Sequence, residues 1–287
     1  MNTQPPTFSA ARATVAGSFA LALCASAMAQ QPPATSATAP PLWEVGGFAL
    51  GVSQQAYPGS DQQVKRALAL PYFIYRGEFF RADRGTVGLR AFKTPEFELD
   101  IGLAGAFGSN VDQLEARRGM RKLGNLVELG PRLKWNLGDA PAGGRWRAEF
   151  PLRAVFDLSD KAAHRGLSFE PELVFEGKPL NGWRYNASVS AIVADRKLAR
   201  TFYEVTPAEA TAQRAAYSAS SGLVAWRLST SVSRSLSPDW RLFGFARLDT
   251  VAGAANEASP LVRQKTGASV GVGLTYTWLR SEQRARD

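Results

Sequence analysis

The chain has 287 residues, a formal net charge of +9 at pH 7, and only one cysteine and one histidine. These counts exclude a disulfide bond within the chain and a metal site built from two histidines. The basic balance indicates anionic neighbours. For the exported protein inferred below, we expect lipopolysaccharide phosphates or acidic cell-wall polymer and no nucleic acid.

The N-terminus has the features of a secretory signal peptide. Arg12 precedes a short apolar run (residues 15–24), and an Ala-Met-Ala sequence of the kind that signal peptidases cleave follows it. The run is too short to cross a bilayer as a helix. We therefore predict a signal peptide over residues 1–29, with cleavage before Gln30. Removal of this segment leaves a mature chain with charge +8 and without Cys24, and so without thiol chemistry.

Composition divides the mature chain into three parts. Residues 30–41 are rich in Pro, Ala, Thr and Ser, which predicts a flexible linker. The even composition of residues 42–279 predicts one domain, which is the barrel described below. Residues 280–287 are charged, and we expect them to hang in the periplasm as a tail.

Apolar and polar residues alternate with a period of two along the domain. In the clearest run (residues 97–107), Phe97, Leu99 and Ile101 share one face, and Glu98 and Asp100 share the other. Similar runs occupy residues 127–137, 146–158, 167–176, 183–193 and 270–278, and weaker ones occupy residues 43–52, 67–76, 78–83, 86–92, 223–236 and 240–251. This pattern is typical of barrel strands.

We therefore predict an all-β fold, an antiparallel transmembrane β-barrel of about twelve strands. Ten strands remain possible, because Pro71 predicts an irregular strand over residues 67–76.

Two features distinguish a membrane barrel from a soluble one and predict its orientation. Short connections alternate with mostly longer ones, as periplasmic turns alternate with outer loops. The second feature is tryptophan, which prefers the membrane interface. If the first strand starts in the periplasm, six of the seven fall at the periplasmic rim: Trp43, Trp135, Trp146, Trp183, Trp240 and Trp278.

The sequence offers no convincing catalytic group. His164 lies in a predicted outer loop without an acid and a nucleophile at a recognisable spacing. Glu170 and Glu172 share a strand face, an arrangement that resembles a glycosidase pair, but a place in the polar lumen explains them better. We predict a non-enzyme without catalytic residues, cofactor or metal.

Two charged sets are candidate sites. The first is a set of lumen charges, in which basic and acidic walls are expected to pair across strands: Arg132, Lys134, Arg147, Glu149, Arg153, Glu170 and Glu172. The second is a rim charge cluster of Arg76, Arg81, Asp83 and Arg84, of which the last three are expected at the outer rim. A barrel of this size with large paired side chains predicts a narrow or filled lumen.

Several motifs resemble a known family. They are YPGSD at residues 57–61, LPYFIYRGEFFRADRG at residues 70–85 and LVELGP at residues 126–131. Together with weaker matches elsewhere, they resemble the MltA-interacting protein family (MipA/OmpV). The resemblance implies an outer-membrane scaffold that links a lytic transglycosylase to a penicillin-binding protein, and it supplies no catalytic motif to transfer.

The sequence thus favours a scaffold in the Gram-negative outer membrane, in contact with its lipid and lipopolysaccharide. Two alternatives stay open: a narrow channel for small solutes, and a surface adhesin acting through the long loops.

Overall fold

The computed structural model describes residues 39–77, 80–83, 86–105, 114–141 and 143–285, and for residues 80–83, 86–89 and 103–105 it describes the backbone. The predicted signal peptide, Arg84 and the end of the 97–107 run lie outside the described residues. The strands are β1 Trp43–Gln55, β2 Gln63–Arg76, β3 Phe80–Asp83, β4 Thr86–Lys93, β5 Phe97–Gly105, β6 Leu126–Asp139, β7 Arg145–Asp157, β8 Ala163–Phe169, β9 Glu172–Glu176, β10 Trp183–Ala194, β11 Gly222–Ser235, β12 Trp240–Thr250 and β13 Thr266–Arg280. One α-helix, α1 (Arg196–Tyr203), lies in a long loop.

All thirteen strands form one antiparallel sheet that closes on itself. Apart from β8 and β9, consecutive strands pair with each other, and β13 pairs with β1. β8 and β9 do not pair with each other, because both lie between β7 and β10. β8 and β9 lie end to end, interrupted at Glu170 and Pro171, where proline has no N–H for the ladder. The sheet therefore has twelve strand positions, and the predicted barrel of about twelve strands is confirmed. No helix in the described part is long and apolar enough to cross a membrane.

β2 is regular through Pro71, so the expected irregularity is wrong. Pro71 lies opposite Gly47 of β1, and the ladder with β1 continues on both sides of it. Within the described residues, β2 pairs with β3 only at Tyr75 and Arg76. Most of β2 is therefore edge-like on that side, and edge positions tolerate proline.

The two faces of the wall differ as the alternation predicts. Large apolar side chains project outward and stay exposed, such as Leu228, Leu248 and Val272. Inside, Phe48, Leu50, Val52 and Phe243 make a small apolar cluster on one wall. The ring of Phe243 lies against Gly273 of β13, where a Cβ atom would be only 2.5 Å from it.

The six tryptophans predicted to share a rim lie at one end of the barrel, and this placement is confirmed. Trp43, Trp146, Trp183 and Trp240 start strands, whereas Trp135 lies opposite Phe97 and Trp278 lies near the end of β13. We call this the short-turn end. The other end, which carries residues 56–62, 114–125, 158–162, 195–221 and 251–265, is the long-loop end.

The first and last described segments of the chain meet at the short-turn end. Leu42 N donates to Gln283 O (2.8 Å), Ala285 N donates to Pro40 O (2.8 Å), and Pro41 bridges to Arg284. The expectation that the tail hangs free is therefore wrong for residues 281–285. Their backbone groups find partners in the segment predicted as a linker, which extends the β1–β13 ladder beyond the wall.

Candidate functional site

The long loops pack together over one mouth of the barrel. We call the packed residues 56–62, 114–125, 195–221 and 251–265 the cap. Helix α1 begins where the Asp195 side chain accepts a hydrogen bond from Leu198 N (2.7 Å), an N-cap that satisfies a free backbone donor. Its apolar face buries Leu198, Ala199, Phe202 and Tyr203 against side chains of the upper wall, including Leu126 and Val155.

Two buried tyrosines tie the cap loops to one another. Tyr203 donates to Pro58 O (2.9 Å), and Tyr57 donates to Leu261 O (2.7 Å). Ser259 in turn donates to Tyr203 O (2.7 Å). Burial raises the pKa of Tyr57 to about 12 and raises the pKa of Tyr203 as well.

Two arginines hold the cap by its backbone. Arg214 donates to the carbonyls of Ala116 (3.0 Å), Arg118 (3.0 Å) and Glu209 (2.6 Å). Arg117 donates to Phe202 O (2.9 Å). Each guanidinium satisfies carbonyl groups that irregular loops leave without ladder partners. This role was not predictable from the sequence, because loop arginines are ordinarily solvated.

Ion pairs fill much of the lumen wall between β5 and β7. Arg132 binds Asp100 (2.8 Å) and Glu149 (3.3 Å), and Lys134 binds Glu98 (2.7 Å) and Asp100 (2.7 Å). The side chains are largely buried, and each cation on β6 lies directly opposite its acid on β5. The predicted basic β6 wall is therefore paired with β5.

The remaining lumen charges pair only partly as expected, because Arg147 reaches an acid of β9 whereas Arg153 does not. Arg147 binds Glu149 (2.8 Å) and also Glu176. Arg153 binds Glu128 of β6 (2.8 Å) and so does not pair with the acids of the following strand. Register decides this choice, and one sequence does not reveal register.

Glu170 pairs with an arginine that the sequence analysis missed. Arg227 of β11 binds Glu170 (3.0 Å) and Asp249 of β12 (2.7 Å), with all three inside the barrel. Glu172 lies beside Glu149 and Ser190 and forms no ion pair with a described residue. The alternation of apolar and polar residues could have revealed this pair. Arg227 and Asp249 occupy polar positions in strands that otherwise alternate, which places both on the inner face.

The rim charge cluster is not assembled as expected. Arg76 lies at the short-turn end, where its Nη1 atom donates to Glu44 (3.0 Å) and to Pro41 O (2.8 Å). Arg81 is opposite Arg76, so its expected place at the outer rim is wrong. The reason is that β3 starts just after the short turn at Gly77. Asp83 is opposite Thr86, and Arg84 lies outside the described residues.

His164 belongs to β8 and not to a loop, which corrects the prediction. Its ring packs against Phe156 at 5.4 Å, and its Nδ1 atom is 3.3 Å from Lys197 Nζ. Neither neighbour is an acid that would orient a catalytic base.

A comparison with protein families matches residues 46–278 to the model described as MltA-interacting protein MipA. The comparison with curated proteins gave no match. Among solved structures, the chain is similar to an outer membrane channel from Pseudomonas putida F1, at 12% identity and a TM-score of 0.36, over 86% of this chain and all of that one. It is also similar to OmpT of Vibrio cholerae, in a loop-deletion form, at 7% identity and a TM-score of 0.34, over 83% of this chain and all of that one.

Proposed function

The chain belongs to the MltA-interacting protein (MipA) family, and from this premise we propose that it is a non-enzymatic outer-membrane scaffold for enzymes that build and cleave murein. Its partners on this proposal are a lytic transglycosylase and a penicillin-binding protein. Both would be reached from the periplasm, so the short-turn end faces inward.

The cap is the observation that carries this proposal. It covers the long-loop mouth with a buried apolar cluster, and ion pairs occupy the lumen below it. A barrel closed in this way offers little to a diffusing solute. The cap therefore favours the scaffold over the channel.

The short-turn end carries apolar side chains suited to protein contact. Leu180 and Leu236 lie in two of its turns and are 65% and 56% exposed. Contiguous exposed apolar groups mark interaction surfaces, and these two turns are neighbours because β10 pairs with β11. We propose that these turns, with the paired termini, form the docking surface.

At the opposite end we propose contact with lipopolysaccharide. Arg118, Lys161, Arg196 and Lys197 are exposed there, on three different loops. Phosphate groups of the outer leaflet would neutralise them, as anions bind clustered cations.

Affinity purification from detergent-solubilised membranes tests the scaffold. The tagged full chain should recover a murein hydrolase or synthase, and Leu180→Ser/Leu236→Ser should lose it. Leu158→Ser, which changes an exposed leucine at the long-loop end, is the matched control. Recovery of lipids and assembly factors alone would reject the scaffold. Discrete conductance steps in planar bilayers would favour the channel.

A further inference from the structure

Two arginines inside the barrel, near the short-turn end, lack an acidic partner. Arg184 of β10 lies opposite Ser233 of β11, and Arg241 of β12 lies opposite Ser235, so one strand separates them. In the described part of the chain, neither guanidinium forms an ion pair or a side-chain hydrogen bond. The Nε atom of Arg241 is buried without a partner.

The nearest carboxylates are already occupied by other cations. Glu44 binds Arg76 at 3.0 Å, although it is close enough to Arg241 to interact with it electrostatically. Glu176, the last residue of β9, binds Arg147. Arg184 and Arg241 are close enough to repel each other, and Glu44, the acid that acts on Arg241, is shared with Arg76.

The surroundings favour an anion over water alone. Tyr72 and Thr277 share a hydrogen bond (2.7 Å) on the neighbouring wall, where Phe48 and Leu70 add apolar surface. Such a setting weakens the screening of charge. Partly buried cations without a partner are unfavourable, and a bound anion removes that cost.

Arg247 shows that an unpaired luminal arginine does not by itself make such a site. It lies six residues further along β12 and forms no ion pair in the described part. Arg227 repels it, but Asp249, Glu170 and Glu172 are all close enough to attract it. Arg184 has no such acid acting on it among the described residues, and Glu44, which acts on Arg241, is already bound to Arg76.

We infer that Arg184 and Arg241 together bind an oxyanion, a phosphate or a carboxylate, that enters from the short-turn end. Guanidinium groups match the geometry of both oxyanions with two parallel hydrogen bonds. The cap covers the opposite mouth. A phosphorylated solute and the C-terminal carboxylate of a peptide are two sources of this chemistry. The inference does not depend on the scaffold role.

Titration calorimetry of the purified full chain in detergent tests the inference. Sodium phosphate and D-alanyl-D-alanine are the two probes, each at constant ionic strength set with sodium chloride. We expect saturable binding of at least one probe. Arg184→Gln/Arg241→Gln should weaken it at least about tenfold, because a charged hydrogen bond is worth that much or more.

The control is Arg234→Gln. It removes one positive charge at the same end, as either single variant does, but Arg234 stacks over Trp183 at 5.7 Å, on the outer face. The affinity of the Arg234→Gln variant for the probes should match that of the wild type.

Without anion, the double variant should melt no lower than the wild type, because the repulsion between the two arginines is removed. If the double variant does not fold, either single variant serves. Phosphate binding alone assigns a phosphorylated solute, and peptide binding alone assigns a carboxylate. No saturable binding, or equal binding by wild type and variant, would overturn the inference.

Discussion

The rings of Tyr57 and Tyr203 meet edge to face in the middle of the cap, with 6.4 Å between their centroids and an interplanar angle of 78°. One comes from the first long loop and the other from α1. Each hydroxyl donates to a carbonyl of another loop segment. This pair joins loops that are far apart in sequence, so the cap behaves as one packed unit.

Loss of the Tyr203 side chain should loosen the cap without dissolving the barrel. Tyr203→Ala removes a buried ring, which costs about 3–5 kcal/mol in a core. Tyr203→Phe leaves Pro58 O without its donor and should cost about 1–3 kcal/mol. The measurement is the rate of proteolysis within residues 195–221. Faster migration of the unboiled protein on a detergent gel (heat-modifiability) checks that the barrel stays folded. Tyr217→Phe, whose hydroxyl has only a long bond to Asn256 (3.4 Å), should change little. Equal proteolysis of all three variants would contradict the packing.

The cap should open at alkaline pH. Because burial raises the pKa of Tyr57 from 10.0 to about 12, the folded cap favours the protonated phenol. Its contribution to stability is complete below pH 10.0 and falls as pH rises through about 12. Tyrosinate absorbance of the folded protein should show a late step that Tyr57→Phe lacks. A single step near 10 for every tyrosine would show that Tyr57 is solvated.

Removal of Arg227 should be among the most damaging changes in the lumen. Arg227→Gln leaves Asp249 and Glu170 without their shared cation, which costs about 3–5 kcal/mol for a buried pair. This loss is measured as a lower temperature at which half of the protein stops migrating as the folded form, or as a lower midpoint of urea unfolding in detergent. Arg247→Gln is the matched control on the neighbouring strand, and it should be close to neutral. A similar loss from both would mean that luminal charge, and not this pairing, sets stability.

Gly273 should not tolerate even one methyl group. A Cβ atom there would lie 2.5 Å from Ala49 O and from the Phe243 ring. We expect Gly273→Ala to destabilise the barrel by about 1–3 kcal/mol or to reduce its assembly. Gly51 has no atom within 4 Å of a Cβ position, so Gly51→Ala should assemble normally. Assembly is read from the folded fraction on unboiled detergent gels.

The barrel wall was predictable because alternation is a local property. The alternation of Phe97, Glu98 and Leu99 predicts which face of the sheet each side chain occupies. The tryptophans mark where the strands that carry them cross the rim. The strand count needed only these two signals. The break at Pro171 was visible as a proline, but its consequence was not, because β8 and β9 keep the same neighbours.

The contents of the barrel were harder to predict, because they depend on register and on loops. Arg153 had acids on both flanking strands, and only the alignment with Glu128 decides its partner. The cap loops show no periodic pattern of apolar residues, so the contact between Tyr57 and Leu261 could not be predicted from the sequence. Arg81 was misplaced because β3 is only four residues long.

Site-specific photo-crosslinking in living cells tests the scaffold most directly. Lys178 and Lys197 are exposed lysines at opposite ends of the barrel, in a short turn and on α1. A photoreactive residue at position 178 should cross-link to a murein hydrolase or synthase, whereas one at position 197 should reach lipopolysaccharide. Cross-links to murein enzymes from neither position, or from position 197 alone, would contradict the account.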